Sequence, residues 1–195
     1  MAANELQVLA RERIGGLGAM LPRSGRSIDV RLVEPSHVLS VRMLPGGADA
    51  IAKAVAGIGI AALPPAGRFT GDGTLILWRN PTELLLVTPR RGEAERVLRT
   101  LPAGPEALAY AVDQSDGLVT FELQGTALDD VLHRLLDASA VPLEPGQGTR
   151  ARMAEIAVIA LRLDSQRAWL IADRANDQFL AQWVAYAIDA LTALT

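Results

Sequence analysis

Cysteine is absent from this chain of 195 residues, and its absence excludes several kinds of chemistry. Disulfide bonds, thiolate zinc sites, iron–sulfur ligation and cysteine nucleophiles all require it. An excess of basic residues is also missing, because 19 lysine and arginine residues stand against 22 acidic ones and the formal net charge is −3. Nucleic-acid-binding domains usually carry a basic face, so the sequence predicts no nucleic-acid partner.

Long apolar runs are missing as well. The most apolar segment, residues 50–67, is interrupted by Lys53 and by the pair Pro64–Pro65. It is too short and too broken to cross a bilayer. The first 21 residues lack a basic start followed by a long apolar core, so they make a poor signal peptide. We therefore expect a cytoplasmic protein with no membrane partner. The composition, 50% hydrophobic and 21% charged, is that of a globular chain.

The apolar pattern that is present occurs twice. Alternation of apolar with polar residues predicts two half-buried strands, at Leu39, Val41 and Met43 and again at Val119, Phe121 and Leu123. Glycine turns follow each strand, at Gly46–Gly47 and at Gly125. Helical spacing then gives each copy one apolar helix face, formed by Ala48, Ile51, Ala52 and Val55 and by Leu128, Val131, Leu132 and Leu135.

Each copy continues in the same way. Two further strands are predicted per copy, joined by polar turns, at 74–79 and 84–88 and at 157–162 and 169–173. A second helix follows each pair, with Val97, Leu98 and Leu101 matching Trp183, Val184 and Ala187. The leading strands are 28–33 and 108–112. We predict an α+β fold of two pseudo-repeated halves, 28–101 and 107–195, each an antiparallel sheet with packed helices. Residues 1–27 have no counterpart and form an N-terminal arm.

Polar residues cluster between 113 and 137. The charged positions of the predicted helix lie opposite its apolar face and are interpreted as solvated surface, namely Asp129, Asp130, His133, Arg134 and Asp137. Glu122 lies on the polar side of its strand. Asp113, Ser115 and Asp116 precede that strand, where such side chains commonly bond local backbone N–H groups. This structural role is favoured over a catalytic one, since Ser115 has no recognisable base.

Other motifs carry little chemistry. Gly57–Ala62 matches G-x-G-x-x-A, but a helix precedes it and Pro64–Pro65 follows, the reverse of a dinucleotide site. His37 and His133 have no ligand set at metal spacing, so no metal site is predicted. We identify no catalytic residue. The three tryptophans are explained by packing in a core or an interface, at Trp78, Trp169 and Trp183.

An ordered set of motifs resembles the gamma subunit of heterotetrameric sarcosine oxidase. The set comprises D-x-S at 113–115, G-x-x-x-x-x-V-L at 125–132, T-R at 149–150 and an aromatic-L-I-x-D strand at 169–173 ahead of a helix with Trp183. The stretch "LILWRNPTELLLVTP" also looks like that family. The resemblance covers roughly residues 28–190. The gamma subunit belongs to a wider group of proteins. This group includes the T-protein of the glycine cleavage system, which is a tetrahydrofolate-dependent aminomethyltransferase.

The resemblance implies a folate-binding-domain-like fold and a structural role in an oxidase that demethylates sarcosine or a related N-methyl amino acid. It implies alpha, beta and delta partner subunits, which hold the flavin, NAD and tetrahydrofolate, and no cofactor in this chain. The surface that would contact these partners also allows the isolated chain to self-associate, so a homodimer of the chain alone is compatible with the subunit role.

The alternative is a stand-alone folate-binding or one-carbon-transfer protein. T-proteins carry an acid at the folate amine, just before the strand that 157–162 resembles. Glu155 is the weak candidate for that role, but the characteristic acidic pair is missing. The chain is also too short for the further C-terminal domain of a full T-protein. Both features favour the subunit.

Overall fold

The computed structural model describes residues 21, 23–24, 27–33 and 36–192. The strands of this part of the chain are β1 (Arg23–Ser24), β2 (Asp29–Leu32), β3 (His37–Met43), β4 (Phe69–Thr70), β5 (Leu75–Asn80), β6 (Glu83–Thr88), β7 (Ala109–Asp113), β8 (Leu118–Gln124), β9 (Gly148–Met153), β10 (Ile156–Arg162) and β11 (Arg167–Asp173). Its helices are α1 (Ala48–Ala56), α2 (Arg91–Thr100), α3 (Leu128–Leu135) and α4 (Asp177–Thr192). Two 3₁₀ turns, Ala138–Ala140 and Arg174–Asn176, complete the set.

The strands form two antiparallel sheets that pack face to face. The first sheet has the order β4-β5-β6-β3-β7, and the second has the order β1-β2-β8-β11-β10-β9. One apolar cluster lies between the first sheet and helices α1 and α2, and another between the second sheet and α3 and α4. A third cluster joins the two sheets. The result is a four-layer sandwich of helices, sheet, sheet and helices, which confirms the predicted mixture of antiparallel sheets and helices.

The two leading strands are exchanged between the sheets. β2 precedes β3 in the chain but pairs with β8 in the second sheet, and β7 precedes β8 but pairs with β3 in the first sheet. The sequence groups each leading strand with its own copy, so this pairing differs from the expected grouping. Because each half completes the other's sheet, the halves 28–101 and 107–195 are joined by backbone hydrogen bonds as well as by packing. Their superposition as repeats stays a prediction.

Two glycines make the exchange sterically feasible. A Cβ on Gly47 would lie 2.2 Å from the carbonyl oxygen of Leu108, just before β7. A Cβ on Gly125 would lie 2.1 Å from the carbonyl oxygen of Ser27, just before β2. Gly47 follows β3 and Gly125 follows β8, the corresponding strands of the two copies, so the backbone of the leading strand from the other copy crosses at the same place in each.

The predicted helix faces are largely confirmed. In α3 all four predicted residues are buried, together with the apolar face of β8. In α1 the buried residues are Ile51, Ala54 and Val55, while Ala48 is exposed and Ala52 half-buried. Alanine at 48 lies in the first turn, and its small side chain gains little from burial.

The predicted arm 1–27 falls mostly outside the described residues. Of the described ones, Leu21 is 5% exposed and packs in the core beneath α3 and α4. Arg23–Ser24 pairs with Val30 and Asp29 at the edge of the second sheet. Leu21 and Arg23–Ser24 are therefore part of the folded domain.

Candidate functional site

A cleft of about 770 Å³ opens where the chain crosses between the sheets. One wall is the side of α2, from Arg91 to Leu98. The opposite wall combines the end of β2, the start of β3, the end of β7 and the start of β8. The two crossover connections, β2 to β3 and β7 to β8, meet at this end of the sandwich, so the cleft is a product of the strand exchange.

The turn between β7 and β8 forms part of the cleft wall. Oδ1 of Asp113 accepts hydrogen bonds from the backbone N–H of Ser115 at 2.9 Å and from its hydroxyl at 2.5 Å. The Ser115 Oγ in turn accepts the backbone N–H of Val38 at 3.0 Å. The Ser115 hydroxyl is thus committed to holding the turn against β3. The contacts agree with the predicted structural role of these residues.

Arg174, the first residue after β11, anchors the same turn. Its Nε donates to the carbonyl oxygen of Asp116 at 3.0 Å, and its Nη2 donates to that of Leu118 at 2.7 Å. Within the described residues, no carboxylate lies at salt-bridge distance from its guanidinium. Arg174 is therefore a cation that lines the cleft and whose hydrogen bonds, among the described residues, go to backbone carbonyl oxygens from Nε and Nη2. No motif in the sequence points to this role for Arg174.

Two hydroxyl groups of residues that line the cleft have no hydrogen-bond partner in the part of the chain that the structure describes. Thr120, in β8, is 2% exposed, and its Oγ1 has no hydrogen-bond partner among the described residues. The Oγ of Ser36, beside the start of β3, is likewise buried and unpartnered. His37 also lines the cleft. A buried hydroxyl without a partner costs free energy, and both hydroxyls belong to residues that line the cleft.

Glu122 is buried between the sheets, which its place on the polar side of the strand did not predict. It is 5% exposed, and its Oε1 accepts the Nε of Arg31 at 2.8 Å. Its Oε2 accepts the indole Nε1 of Trp169 at 2.9 Å. The first sheet has a corresponding buried carboxylate. Glu83, in β6, is 3% exposed and accepts a hydrogen bond of 2.6 Å from the Ser40 hydroxyl.

The pKa of Glu83 is lowered. Burial raises the pKa of this carboxyl, but the Ser40 hydrogen bond and the guanidinium groups of Arg79 and Arg42 together outweigh burial. Nη1 of Arg79 lies 2.7 Å from Oε1 of Glu83. Both buried glutamates therefore have cationic partners reaching in from the edge of the sandwich. Their hydrogen-bond partners in the described chain all lie on strands of the glutamate's own sheet, so we assign both carboxylates to cohesion within each sheet.

The charged face of α3 is exposed, as predicted. Asp129 has an additional role, because its carboxylate pairs with the buried guanidinium of Arg162 on β10. Arg162 also donates to the carbonyl oxygens of Asp164 and Ser165. The pair therefore fixes the β10–β11 turn to α3.

Glu155 lies at the tip of the β9–β10 hairpin. Its φ is 69° and that of Ala154 is 47°, as in a tight turn. Its side chain is 86% exposed and pairs with Arg152 at 2.9 Å. Glu155 does not line the cleft.

The glycine motif at 57–62 has the context that the sequence predicts. Gly57 caps the C-terminus of α1, and Gly59 takes a φ of 88° in the turn that follows. A helix therefore precedes the glycines, as the reversed motif requires.

Among the described residues, no three His, Asp or Glu side chains are grouped to hold a metal ion. No helix in the described ranges is long and apolar enough to cross a membrane.

The three tryptophans have different environments. Trp169 is buried between the sheets and Trp78 is half-buried beside α1 and α2. Trp183, in contrast, is 37% exposed on α4, outside the buried face that includes Val184 and Ala187. The prediction that Trp183 packs in the core is therefore wrong. Packing in an interface stays a prediction for this residue. Phe179 and Tyr186 are exposed on the same helix, at 48% and 66%.

Comparisons with known proteins agree on the fold. No family model matches the chain, and no curated protein matches it. Among solved structures, a chain of the heterotetrameric sarcosine oxidase from Corynebacterium sp. U-96 is similar, with a TM-score of 0.73 and 22% identity over 89% of this chain and 90% of that one. The aminomethyltransferase T of the glycine cleavage system from Bartonella henselae has a TM-score of 0.58 and 14% identity over 87% of this chain and 48% of that one. The chain thus has the fold shared by a sarcosine oxidase subunit chain and part of an aminomethyltransferase.

Proposed function

We propose that this chain is a non-catalytic, gamma-like subunit of a hetero-oligomeric oxidase that acts on sarcosine or a related N-methyl amino acid. The fold similarity supports a relation to such an assembly, since it extends over 90% of one chain of the oxidase. The motifs at 113–115, 125–132 and 169–173 support it independently. In this proposal the alpha, beta and delta subunits hold flavin, NAD and tetrahydrofolate, and the complex is cytoplasmic.

The observation that carries the subunit role is an aromatic stripe on α4, formed by Phe179, Trp183 and Tyr186. These positions follow helical spacing along one face. The Trp183 and Tyr186 rings stack with centroids 5.8 Å apart. The chain has only eight aromatic residues, so three of them are exposed side by side on one helix.

Such a stripe fits a protein interface better than a solvated surface. Tryptophan and tyrosine are enriched among the residues that dominate binding energy. The side chains of α3 continue the surface, because Arg134 borders a shallow groove with Trp183, Tyr186 and Ala190. A partner that covers the stripe would bury apolar area that now faces solvent.

The test is co-expression of the full-length chain with the flavin-containing subunits of such an oxidase, followed by affinity capture and gel filtration. We expect a stable complex. The triple variant Phe179→Ser, Trp183→Ser, Tyr186→Ser should lose it while retaining its own circular-dichroism spectrum. Leu143→Ser is the matched control, since Leu143 is 69% exposed but lies outside the stripe.

The outcomes separate the two functions. Absence of a complex with the full-length chain contradicts the subunit proposal. Retention of the complex by the triple variant contradicts the role of the stripe. Saturable tetrahydrofolate binding by the isolated chain, lost on Glu155→Ala, would favour the stand-alone one-carbon protein instead. The aminomethyltransferase fold similarity is the observation that keeps this second function under test.

A further inference from the structure

We propose that the cleft between α2 and the strand crossovers binds a zwitterionic amino acid with an apolar side chain. This inference goes beyond the subunit role and does not rest on it. The volume of the cleft, about 770 Å³, is within the range of small-molecule sites, roughly 300–1,000 Å³. An amino acid would occupy its inner part, next to β8.

The charges of the cleft favour a ligand that carries both signs. Arg91 and Glu95 neutralise one another at 2.8 Å. Arg174 has no carboxylate partner within the described ranges, and its Nη1 has no acceptor among those residues. Asp113 and Asp116 likewise have no cationic partner at salt-bridge distance in the described chain. One cation and two carboxylates therefore line the same cleft without being paired.

A single charge on a ligand would be opposed by part of this lining. A simple carboxylate would meet Arg174 favourably but would be repelled by Asp113 and Asp116, and a simple amine would have the reverse difficulty. An α-amino acid can direct its carboxylate to the free N–H groups of Arg174 and its ammonium to the acidic residues. Electrostatic complementarity thus selects the zwitterion.

The unpartnered hydroxyls provide the second, independent evidence. Thr120 is 2% exposed with no partner for its Oγ1, and Ser36 also presents a buried hydroxyl without a partner, both within the described part of the chain. Residues two apart in a strand point to the same side and are about 7 Å apart. Thr120 is therefore about that far along β8 from Leu118, whose carbonyl oxygen holds Arg174. The oxygen of Thr120 has almost no accessible surface, so a ligand bound at Arg174 would accept this hydroxyl once χ1 of Thr120 turns the oxygen toward the cleft.

Apolar side chains complete the inner wall. Val33, Leu118 and Val119 line it from the strands, and Ala94 and Leu98 line it from α2. Apolar walls with a few placed polar groups are typical of small-molecule sites. They favour a branched aliphatic side chain on the ligand over glycine.

The test is calorimetric titration of the isolated full-length chain with L-leucine. Two parallel titrations use 3-methylbutylamine, which lacks the carboxylate, and 4-methylpentanoate, which lacks the ammonium. We expect leucine to bind at least about tenfold more tightly than either, because each lost group forfeits a charge-assisted hydrogen bond. Glycine should bind more weakly than leucine.

Thr120→Val tests the site itself. The change keeps the shape of the side chain and removes an unpartnered buried hydroxyl, so the thermal stability should not fall. The affinity for leucine should fall about fivefold, the equivalent of one neutral hydrogen bond. Thr149→Val is the control, because its hydroxyl donates to the carbonyl oxygen of Ala140 outside the cleft.

Three results would overturn the proposal. Absence of saturable leucine binding at millimolar concentrations contradicts an amino-acid site. Equal binding of 4-methylpentanoate or of 3-methylbutylamine contradicts selection of the zwitterion. Unchanged affinity in Thr120→Val contradicts the location. Because the titration uses the chain alone, a negative result leaves the co-expression test of the subunit role unaffected.

Discussion

The indole Nε1 of Trp169 donates a hydrogen bond of 2.9 Å to Oε2 of Glu122, directly opposite it across the β8–β11 pair. Glu122 is 5% exposed and Trp169 is 9% exposed. The other carboxylate oxygen of Glu122 faces Arg31, whose side chain is 66% exposed. The two partners differ in burial, and this difference decides what each contributes to stability.

Substitution at Glu122 should distinguish the two partners. Glu122→Leu leaves the buried indole N–H without an acceptor, and we expect a loss of about 1–3 kcal/mol in the free energy of unfolding. Glu122→Gln keeps an acceptor for Trp169 and weakens only the exposed ion pair, for which about 0–1 kcal/mol is expected. Urea denaturation measures both. Equal losses in the two variants would contradict the assignment of the main contribution to Trp169.

The pH dependence of stability should report Glu83. Its folded-state pKa is lowered from the ordinary value, so its contribution to stability is present above the unfolded-state pKa of about 4.3. That contribution is lost as the pH falls through the folded-state pKa, because the unfolded chain then binds the proton more readily. Glu83→Gln should flatten the acid side of the stability profile, measured by urea denaturation at successive pH values. Glu155→Gln, at an 86% exposed carboxylate, should leave the profile unchanged.

The two strand–helix copies could be predicted because their signals are local. Alternation in β8 and i, i+3, i+4, i+7 spacing in α3 are fixed by residues a few positions apart. The exchange of β2 and β7 could not be predicted in this way, since the pattern of a strand identifies its buried face but not the sheet it joins. Strand β9 was missed because Gly148, Ala151 and Met153 form a weak apolar face between arginines.

The candidate site was only half visible in the sequence. Asp113, Ser115 and Asp116 stood out as polar residues before a strand, and the structure brings them to the cleft. Thr120 and Arg174 were missed. Thr120 alternates with Val119 and Phe121, a pattern that predicts a solvent-facing side chain, but a second sheet covers that side. Arg174 follows β11 and reaches the 115–118 turn only through tertiary packing.

The crossing beside Gly125 should not tolerate a side chain. Its φ is 153°, and a Cβ would lie 2.1 Å from the carbonyl oxygen of Ser27 and 2.7 Å from the Cα of Ile28. Both obstacles belong to the backbone, so the β2 crossover would have to move. Gly125→Ala should lower the free energy of unfolding by about 3 kcal/mol or more. Gly104→Ala is the control, because a Cβ at position 104 would have no described atom within 4 Å, and it should cause no loss. A stable Gly125→Ala protein would contradict the tight crossing.

Truncation at the N-terminus should reveal where the folded domain begins. Leu21 is 5% exposed within the core beneath α3 and α4, and Arg23–Ser24 extends the second sheet. A chain lacking residues 1–27 should therefore be less stable than one lacking residues 1–20, by about 1.5–3 kcal/mol for the lost burial of a leucine side chain. Thermal and urea denaturation of the two truncated chains measure the difference. The same pair refines the co-expression test, because deletion of residues 1–20 removes most of the predicted arm and leaves Leu21 and β1 in place. If the two truncated chains are equally stable, Leu21 and β1 do not contribute to the domain. If deletion of residues 1–20 is sufficient to abolish the complex, those residues contact the partner subunits.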